Sequence, residues 1–399
     1  MKNRLLTPGP TPVPERIALR MARPVVHHRS PEFAATLSRV RRELASLCGT
    51  RQDVVLLGAT GTGAMEAALV SLLKPGEDAV VVEAGKFGER WRRLALAHGV
   101  VPSLVRCEWG RAVDPEQVRE ALRDRPAARA VFVQAVESST GVLHPIEELA
   151  RVTHDAGALL VVDAVSALGA LPLPMDAWNI DVLVGAGHKA LGLPPGLAFV
   201  AASERAWART ESAGLSRYYF DLRRERERQR DNQTMWTAPV SLVEGLDESL
   251  LLLREEGLEN VYARCALLGR AARAGMNALG FETFAQVPSP SITCVRAPER
   301  IDTDRLVRLI QERHGVRLAG GQERLKGRTL RLAHFGYLDG FDLLIAVAAI
   351  ERGLRELGVA GELGVGLSAV QRVLAEADHP AVGENPQSSP TSGVAESQS

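Results

Sequence analysis

DVLVGAGHKALGLPPGLAF, residues 181–199, joins an apolar strand to a glycine-rich turn that carries a single lysine. Val182, Leu183 and Val184 are typical of a buried strand, and the glycines that follow end it. We expect Lys189 at a strand end, where partial loss of solvent disfavours the ammonium form and lowers the pKa. The neutral amine is the form that attacks a carbonyl to make a Schiff base. Lys189 is thus the candidate catalytic residue, and a lysine on a surface turn is the alternative.

A second apolar run, LLVVDAVS at residues 159–166, places Asp163 at the end of another buried strand. A carboxylate in that position needs a partner. Pyridoxal phosphate would supply one, because an ionised aspartate beside its pyridine nitrogen keeps that nitrogen protonated. From the sequence alone, capping of a following helix explains Asp163 equally well.

The stretch VVLLGATGTGAMEA, residues 54–67, predicts a strand, a glycine-rich turn and a helix. Such a turn directs backbone N–H groups and the helix dipole toward an anion, so it is a candidate phosphate cradle. Its glycines are spaced differently from the dinucleotide-binding fingerprint, and no Lys-Ser or Lys-Thr follows as in a P-loop. The sequence therefore favours a phosphate group over a dinucleotide or a nucleoside triphosphate.

Together these stretches resemble the class V aminotransferases of pyridoxal-phosphate fold type I, most closely the alanine–glyoxylate and serine–pyruvate aminotransferase branch. The resemblance covers roughly residues 3–358. Its motifs are, in order, LLTPGPTPVP, HRSPEF at 28–33, GTGAMEAAL, GKFGERW at 85–91, VESSTGVLHP at 136–145, VDAVSALG, KALGLPPGLAF, TAPVSLVEGL at 237–246 and AGGQERLKGRTLRLAHFGY at 319–337.

The resemblance implies pyridoxal phosphate bound to Lys189 and paired with Asp163 through its ring nitrogen. It further implies that Phe87 stacks on the cofactor ring, although a core phenylalanine is the alternative. Ser138 would donate a hydrogen bond to the phenolic oxygen. Arg331 alternates with apolar residues on a predicted strand, so it either reaches the surface or binds a carboxylate with two N–H groups. The resemblance favours the substrate carboxylate, with Arg29 and Arg217 as the next candidates.

The phosphate end of the site is implied to include Thr60, Gly61 and Thr62, together with His188. His188 stands where the nearest relatives often have Gln; it could contact the phosphate or only the turn, and its titration could make cofactor binding pH-dependent. Thr237 matches a segment that reaches the partner subunit's phosphate, which implies a homodimer with shared sites. Where many relatives carry Tyr, this chain has Thr234.

The composition argues against nucleic acid, a metal ion and a membrane as partners. Lys plus Arg and Asp plus Glu number 48 each, so no global basic field favours nucleic acid. The four cysteines are far apart and form no C-x-x-C pair, which predicts reduced core thiols and no metal site. No run of 18 uncharged apolar residues appears, and Pro-Gly-Pro follows the N-terminus before a signal sequence could develop. We expect a cytoplasmic enzyme without membrane or nucleic-acid partners.

Strand-like runs alternate with helical stretches, which predicts an α/β fold whose large domain contains a mainly parallel, doubly wound, seven-stranded sheet. The runs are 54–57, 79–83, 103–107, 130–134, 159–162, 182–185 and 197–202. A smaller C-terminal α/β domain follows. The predicted divisions are an N-terminal arm (1–20), the large pyridoxal-phosphate domain (21–255), the small domain (256–358), a helical extension (359–377) and a disordered tail (378–399).

These features predict an aminotransferase that moves an amino group from alanine or serine to glyoxylate or pyruvate by a ping-pong mechanism. A ureidoglycine or aminophosphonate aminotransferase, a lyase and a non-catalytic binding module are the alternatives. A cysteine desulfurase needs a cysteine on a mobile loop, and GGQERLKG at 320–327 has none. The arginine-rich segment 217–231 is interpreted as a solvated face or a mobile loop.

Overall fold

The computed structural model describes residues 2–213, 216–359 and 361–378. Its strands are β1 (Arg4–Leu5), β2 (Val54–Leu57), β3 (Asp78–Glu83), β4 (Val101–Arg106), β5 (Ala130–Gln134), β6 (Val136–Glu137), β7 (Val142–Leu143), β8 (Leu159–Asp163), β9 (Val182–Ala186), β10 (Ala198–Ala202), β11 (Glu282–Thr283), β12 (Ile292–Arg296), β13 (Val316–Arg317), β14 (Ala319–Gly320) and β15 (Thr329–Ala333).

The helices are α1 (Glu15–Met21), α2 (Pro31–Leu47), α3 (Gly61–Leu72), α4 (Lys86–Ala97), α5 (Pro115–Asp124), α6 (Ile146–Asp155), α7 (Glu204–Ser212), α8 (Leu222–Arg230), α9 (Val240–Glu256), α10 (Leu258–Ala278), α11 (Thr303–His314), α12 (Gly340–Glu356) and α13 (Val365–Asp378). A short 3₁₀ helix, Glu323–Leu325, lies between β14 and β15.

Seven strands form one sheet in the order β2-β10-β9-β8-β5-β3-β4. All of its neighbouring pairs are parallel except those of β10, which runs antiparallel to both β2 and β9. The seven runs predicted from the sequence are these seven strands, with small differences at their ends. The predicted α/β class with a mainly parallel sheet is therefore confirmed.

The sheet is buried on both faces, which explains why its strands read as continuous apolar runs. Val54 and Leu56 of β2 pack into one hydrophobic core, whereas Val55 and Leu57 pack into the other. Helices α2, α5, α6 and α9 cover the first face, and α3, α4, α7 and α8 contribute to the second. Because both faces pack against apolar cores, the sheet can offer polar side chains to a ligand mainly at the ends of its strands.

A crevice is expected between β3 and β5, where the chain changes direction across the sheet. The chain leaves β3 toward β4 at the sheet edge, whereas from β5 it passes through α6 to β8 on the other side. Helix α4 packs into one core and α6 into the other, so the two connections lie on opposite faces. In doubly wound sheets, ligands bind at such a switch point, outside the carboxyl ends of the strands.

A second sheet has the order β11-β12-β15-β14, and α12 and α13 pack near it against α10. The N-terminal segment joins this part of the chain, because β1 pairs in parallel with β13. The sheet agrees with the α/β portion predicted near the C-terminus, while the divisions at residues 20, 255, 358 and 377 stay predictions. Apart from Asp378, the last residue of α13, the predicted disordered tail lies outside the described residues.

Over residues 222–230 the interpretation of the arginine-rich segment as a mobile loop is wrong, whereas Arg223, Arg224, Arg228 and Arg230 are exposed, as a solvated face predicts. Residues 222–230 form α8, which Asp221 caps by accepting the backbone N–H of Arg224 at 3.3 Å. Gln229 is buried and extends the edge of β2: its Oε1 accepts the N–H of Leu56 at 3.0 Å, and its amide donates to the Leu56 carbonyl at 2.7 Å. The charged residues of α8 therefore flank a glutamine that hydrogen-bonds the edge strand of the sheet.

Two expectations about composition can be compared with the described residues. The four cysteines are free thiols, with Cys48, Cys265 and Cys294 buried and Cys107 half-buried. No helix in the described ranges combines the length and the apolar character needed to cross a membrane.

Candidate active site

Lys189 lies in the turn after β9, and its side chain is buried. Its Nζ donates to the carbonyl of Pro8, while the hydroxyl of Thr11 donates to the Lys189 carbonyl at 2.8 Å. Burial lowers the pKa of Lys189 to about 8; Asp163 opposes this shift, and Arg331 and Arg90 add to it. At neutral pH an appreciable fraction of the amine is therefore unprotonated. A lysine on a surface turn, the alternative, is wrong.

Asp163 ends β8 and is also buried. Its Oδ1 accepts the N–H of Val165 at 2.9 Å, and the following residues form a turn. The alternative of a helix cap is therefore wrong. Burial raises the pKa of Asp163, whereas that N–H and the charges of Arg90 and Lys189 lower it. The mutual influence of Asp163 and Lys189 places the two reactive groups in one electrostatic environment.

The phosphate cradle predicted at residues 60–62 is the first turn of α3. Thr60 is its N-cap but makes no side-chain capping bond, so its hydroxyl does not occupy the first N–H groups of this helix, which can bind an anion. A Cβ on Gly61 would lie 2.9 Å from Cγ2 of Val165, which is two residues after Asp163 in the chain. The hydroxyl of Thr62 accepts a hydrogen bond of 2.9 Å from Nη1 of Arg90.

His188 directly precedes Lys189, and its Nδ1 is buried without a hydrogen-bond partner among the described residues. Burial lowers the pKa of His188 to about 4, with the charge of Lys189 contributing. The imidazole is consequently neutral at physiological pH. The expectation that it changes charge near neutrality is wrong, because the turn removes the ring from water.

Phe87 and Ser138 are connected through a buried carboxylate that the sequence reasoning missed. Oε2 of Glu137 accepts the N–H groups of Phe87 at 3.0 Å and Gly88 at 3.1 Å. Oε1 accepts both the N–H of Ser139, at 3.1 Å, and its hydroxyl, at 2.5 Å. Glu137 therefore joins the first turn of α4 to the loop that carries Ser138. Its place within VESSTG, next to Ser138, was the available signal.

Arg331 reaches the same loop from β15. Its Nη1 donates to the carbonyl of Ser138 at 3.0 Å, and its Nε donates to the carbonyl of Gly320 at 3.0 Å. Burial lowers the pKa of this guanidinium, and nearby Cys294 and Glu137 oppose the shift. These bonds use two of the five N–H groups of a guanidinium, so others can serve a carboxylate. The alternative, in which Arg331 reaches the surface, is wrong.

Thr237 lies on an exposed segment beside the carboxyl end of β2, not among the buried groups. Tyr219 stacks on Trp236 with a centroid distance of 5.7 Å, and its hydroxyl donates to the carbonyl of Gly58 at 3.3 Å. The hydroxyl of Thr234 donates to the carbonyl of Trp236 at 2.6 Å. The chain thus presents Thr237 next to an aromatic cluster at the mouth of the cradle.

The two alternative carboxylate-binding residues are less well placed. Arg217 donates to the carbonyls of Val70 and Thr210, at the opposite end of α3 from the cradle. Arg29 is exposed, immediately before the Ser30 N-cap of α2. The buried Arg331 remains the candidate that contacts the Ser138 loop.

The chain is similar to known aminotransferases along most of its length. The model of the class-V aminotransferase family matches residues 16–332. The serine–glyoxylate aminotransferase of Methylorubrum extorquens is 33% identical over 94% of this chain and 96% of its own length. A Synechococcus protein named soluble hydrogenase, small subunit, is 38% identical over 94% of this chain and 99% of its own. The ureidoglycine–glyoxylate aminotransferase structure from Bacillus subtilis has a TM-score of 0.88 and 28% identity, with 94% and 99% covered.

Proposed function

The chain belongs to the class-V aminotransferase family, whose cofactor is pyridoxal phosphate, and on that premise we propose a ping-pong transfer between a small L-amino acid and a 2-oxo acid. The donor is alanine or serine, and the acceptor is glyoxylate or pyruvate. The observation that carries the proposal is the buried amine of Lys189 beside the buried carboxylate of Asp163, with Arg331 contributing to the same electrostatic environment.

The residues present fit the cofactor. The buried Nδ1 of His188 has no partner among the described residues, and the first turn of α3 has an N-cap without a side-chain bond. Both features suit an anionic group at this end of the site. At the other end, Asp163 offers a buried carboxylate to a protonated ring nitrogen. We assign Thr60, Gly61, Thr62 and His188 to the phosphate end.

Pyridoxal phosphate supplies a carbonyl that takes up the amino group and a ring that delocalises the electron pair left by a departing proton. Lys189 would hold the cofactor and then carry the proton to and from the α carbon of the substrate, as a general base and acid. Its pKa of about 8 suits both directions near neutral pH. The hydrogen bond from Nζ to Pro8 must open for this movement.

Other residues would orient the reacting groups. Asp163 keeps a proton on the ring nitrogen, because an ionised carboxylate stabilises the cation beside it. Phe87 would pack against the ring, and Ser138 would donate a hydrogen bond to its phenolic oxygen. Arg331 binds the carboxylate of donor and acceptor in turn, so one guanidinium serves both half-reactions of a ping-pong enzyme. Thr237 completes the phosphate site of the partner subunit in a homodimer.

The relatives support glyoxylate as an acceptor, because the names of both the Methylorubrum enzyme and the Bacillus structure include it. Their donors differ, which keeps ureidoglycine and aminophosphonate donors as alternatives to alanine and serine. The hydrogenase name is that of the Synechococcus relative and of a similar Anabaena cylindrica protein, and it is not carried over to this chain. A desulfurase-type lyase is disfavoured, because Cys294 is buried in β12 and burial raises its pKa to about 12. The proposed location is the cytoplasm.

A donor screen tests the proposal. The chain, reconstituted with pyridoxal phosphate, should convert glyoxylate to glycine or pyruvate to alanine with at least one small L-amino donor, measured by product chromatography. Lys189→Ala is the control and should give no product above background. A wild-type chain that binds the cofactor but turns over no donor, including ureidoglycine and aminophosphonates, would instead be a binding module.

A further inference from the structure

Arg90 connects two helices at the sheet edge. It lies one turn after Phe87 in α4, on the helix that begins after β3. Its Nη1 donates to the hydroxyl of Thr62 at 2.9 Å, and Thr62 is in the first turn of α3. One guanidinium thus holds the helix that carries the ring-stacking candidate against the helix that forms the phosphate cradle.

The same guanidinium lies against the ring of Phe87. The Cζ of Arg90 is 4.7 Å from the ring centroid, which is within the range of a cation–π contact. An aromatic ring has two faces, and Arg90 supports one of them. The other face can then stack on the cofactor without rotating away from it. Phe87 is also held by its backbone N–H bond to Glu137, so both its backbone and its ring are fixed.

We propose that Arg90 is a cofactor-binding residue that places a permanent positive charge at the phosphate end of the site. The inference rests on the function proposed above. A phosphate monoester carries a charge of about −1.5 to −2 at pH 7. The groups assigned to it there are neutral: backbone N–H groups, the hydroxyls of Thr60 and Thr62, and His188. Arg90, by contrast, is a guanidinium that donates a hydrogen bond to the cradle.

Electrostatic effects on the two buried reactive groups agree with this placement. Burial dominates the pKa of both Asp163 and Lys189, and the charge of Arg90 lowers both values. Arg90 therefore lies close enough to influence the amine and the carboxylate on either side of the cofactor. A bound phosphate would also screen this charge from Lys189, so cofactor binding should change the pKa of the amine.

Binding of two cofactor forms separates a phosphate contact from a general effect on the fold. We would titrate the cofactor-free wild type, Arg90→Gln and Arg90→Lys with pyridoxal phosphate and with pyridoxal, which lacks the phosphate, following protein fluorescence. Arg90→Gln should bind pyridoxal phosphate roughly 10- to 100-fold more weakly, the range for loss of a hydrogen bond to a charged group. Its affinity for pyridoxal should change less than about threefold, and Arg90→Lys should lie between.

Inorganic phosphate provides a second probe. It should compete with pyridoxal phosphate for the wild type and compete more weakly for Arg90→Gln. Arg93→Gln is the matched control, because Arg93 lies on the exposed side of α4 and pairs with Glu89. If Arg90→Gln does not fold, Arg90→Lys carries the test instead and should also weaken pyridoxal phosphate more than pyridoxal.

Equal losses for pyridoxal phosphate and pyridoxal, or no loss for either, would overturn the assignment of Arg90. Neither outcome touches the proposed aminotransferase activity, which the wild type tests alone. Conversely, a wild type that does not bind pyridoxal phosphate would end the proposed function itself. The two failures are therefore distinguishable.

Discussion

The carboxylate of Glu137 accepts the backbone N–H of Phe87 at 3.0 Å, across a gap of 50 residues in the chain. The same oxygen accepts the N–H of Gly88, while the other oxygen accepts two hydrogen bonds from Ser139. Gln134, at the end of β5, adds its amide at 3.0 Å. One buried carboxylate thus holds together the two loops that follow β3 and β5.

Glu137→Gln should destabilise the chain by roughly 1 to 3 kcal/mol, because an amide group in this place turns one of its N–H donors toward existing donors. Urea unfolding of the cofactor-free chain measures the change. Glu120→Gln, on the exposed face of α5, is the matched control and should stay within about 0.5 kcal/mol of wild type. Equal stability of Glu137→Gln and wild type would show that the network is not needed to hold the loops.

Lys189 should be the residue that captures pyridoxal phosphate, and the capture should depend on pH. Only the neutral amine reacts, and its pKa of about 8 means that borohydride-trapped product rises with pH around a midpoint near pH 8 and levels off about one pH unit higher. Asp163→Asn removes a charge that raises the pKa of Lys189, so the midpoint should move to lower pH. Peptide mapping after reduction identifies the site.

The control for this labelling is Lys74→Ala, which changes an exposed lysine outside the proposed site and should leave both the yield and the midpoint unchanged. Label on a lysine other than Lys189 would sink the assignment. A midpoint near that of an ordinary lysine would instead mean that the amine is hydrated in solution.

Asp163→Asn should lower kcat while leaving KM nearly unchanged, because the carboxylate stabilises charge on the ring rather than binding substrate. The expected loss is on the order of 100- to 1000-fold, the range for removal of one preorganised electrostatic group. Asp155→Asn, at the exposed end of α6, is the control. Near-normal turnover of Asp163→Asn in steady-state assays would refute the role.

The strand ends were predictable because the apolar runs are continuous. LLVVD and VLVGA have no alternation that would leave their register or extent ambiguous, and both strands are buried on two faces. Since parallel strands end at one edge, Asp163 and Lys189 could be placed together from the sequence. The turn after Asp163 could not, because a carboxylate before Ala-Val-Ser suits a turn and a helix cap alike.

Side chains that act across the fold were not readable. The sequence shows Glu137 only as one acidic residue beside a turn. Its carboxylate accepts hydrogen bonds from Phe87, Gln134 and Ser139, and the sequence does not show that these residues meet. Gln229 satisfies the edge of β2 from within a run of arginines, whose charge count suggested solvent. The neutrality of His188 follows from burial of its turn, which a sequence does not show. In each case the missing information is the direction of a side chain.

Thr237 should act on the partner subunit's site, so sedimentation should show a dimer and mixed variants should complement. Thr237→Glu places a negative charge where phosphate is expected and should strongly reduce cofactor binding by repulsion. Mixing it with Lys189→Ala by refolding gives heterodimers in which one site has both native residues. Up to half of the wild-type activity per heterodimer should return. No recovery in verified heterodimers, or a fully active monomer, would contradict shared sites.

Arg331→Lys and Arg331→Ala should both impair every substrate that carries a carboxylate, because a planar guanidinium binds that group with paired N–H donors and an ammonium does not. The expected loss is about 2 to 5 kcal/mol, or roughly 30- to 4000-fold in kcat/KM. Arg296→Ala, on the neighbouring strand β12 with an exposed side chain, is the control.

The bonds from Arg331 to Ser138 and Gly320 complicate this test, because truncation also removes the donors that hold those two carbonyls. That structural loss affects all substrates alike. A donor without a carboxylate reveals it: alanine should lose far more than ethylamine in single-turnover assays, and the difference between the two losses is the carboxylate contact. If Arg331→Ala loses equally with both donors, the residue only supports the loop. The carboxylate site would then have to be sought at Arg29, which as an exposed residue before α2 could reach it from the partner subunit of the proposed dimer.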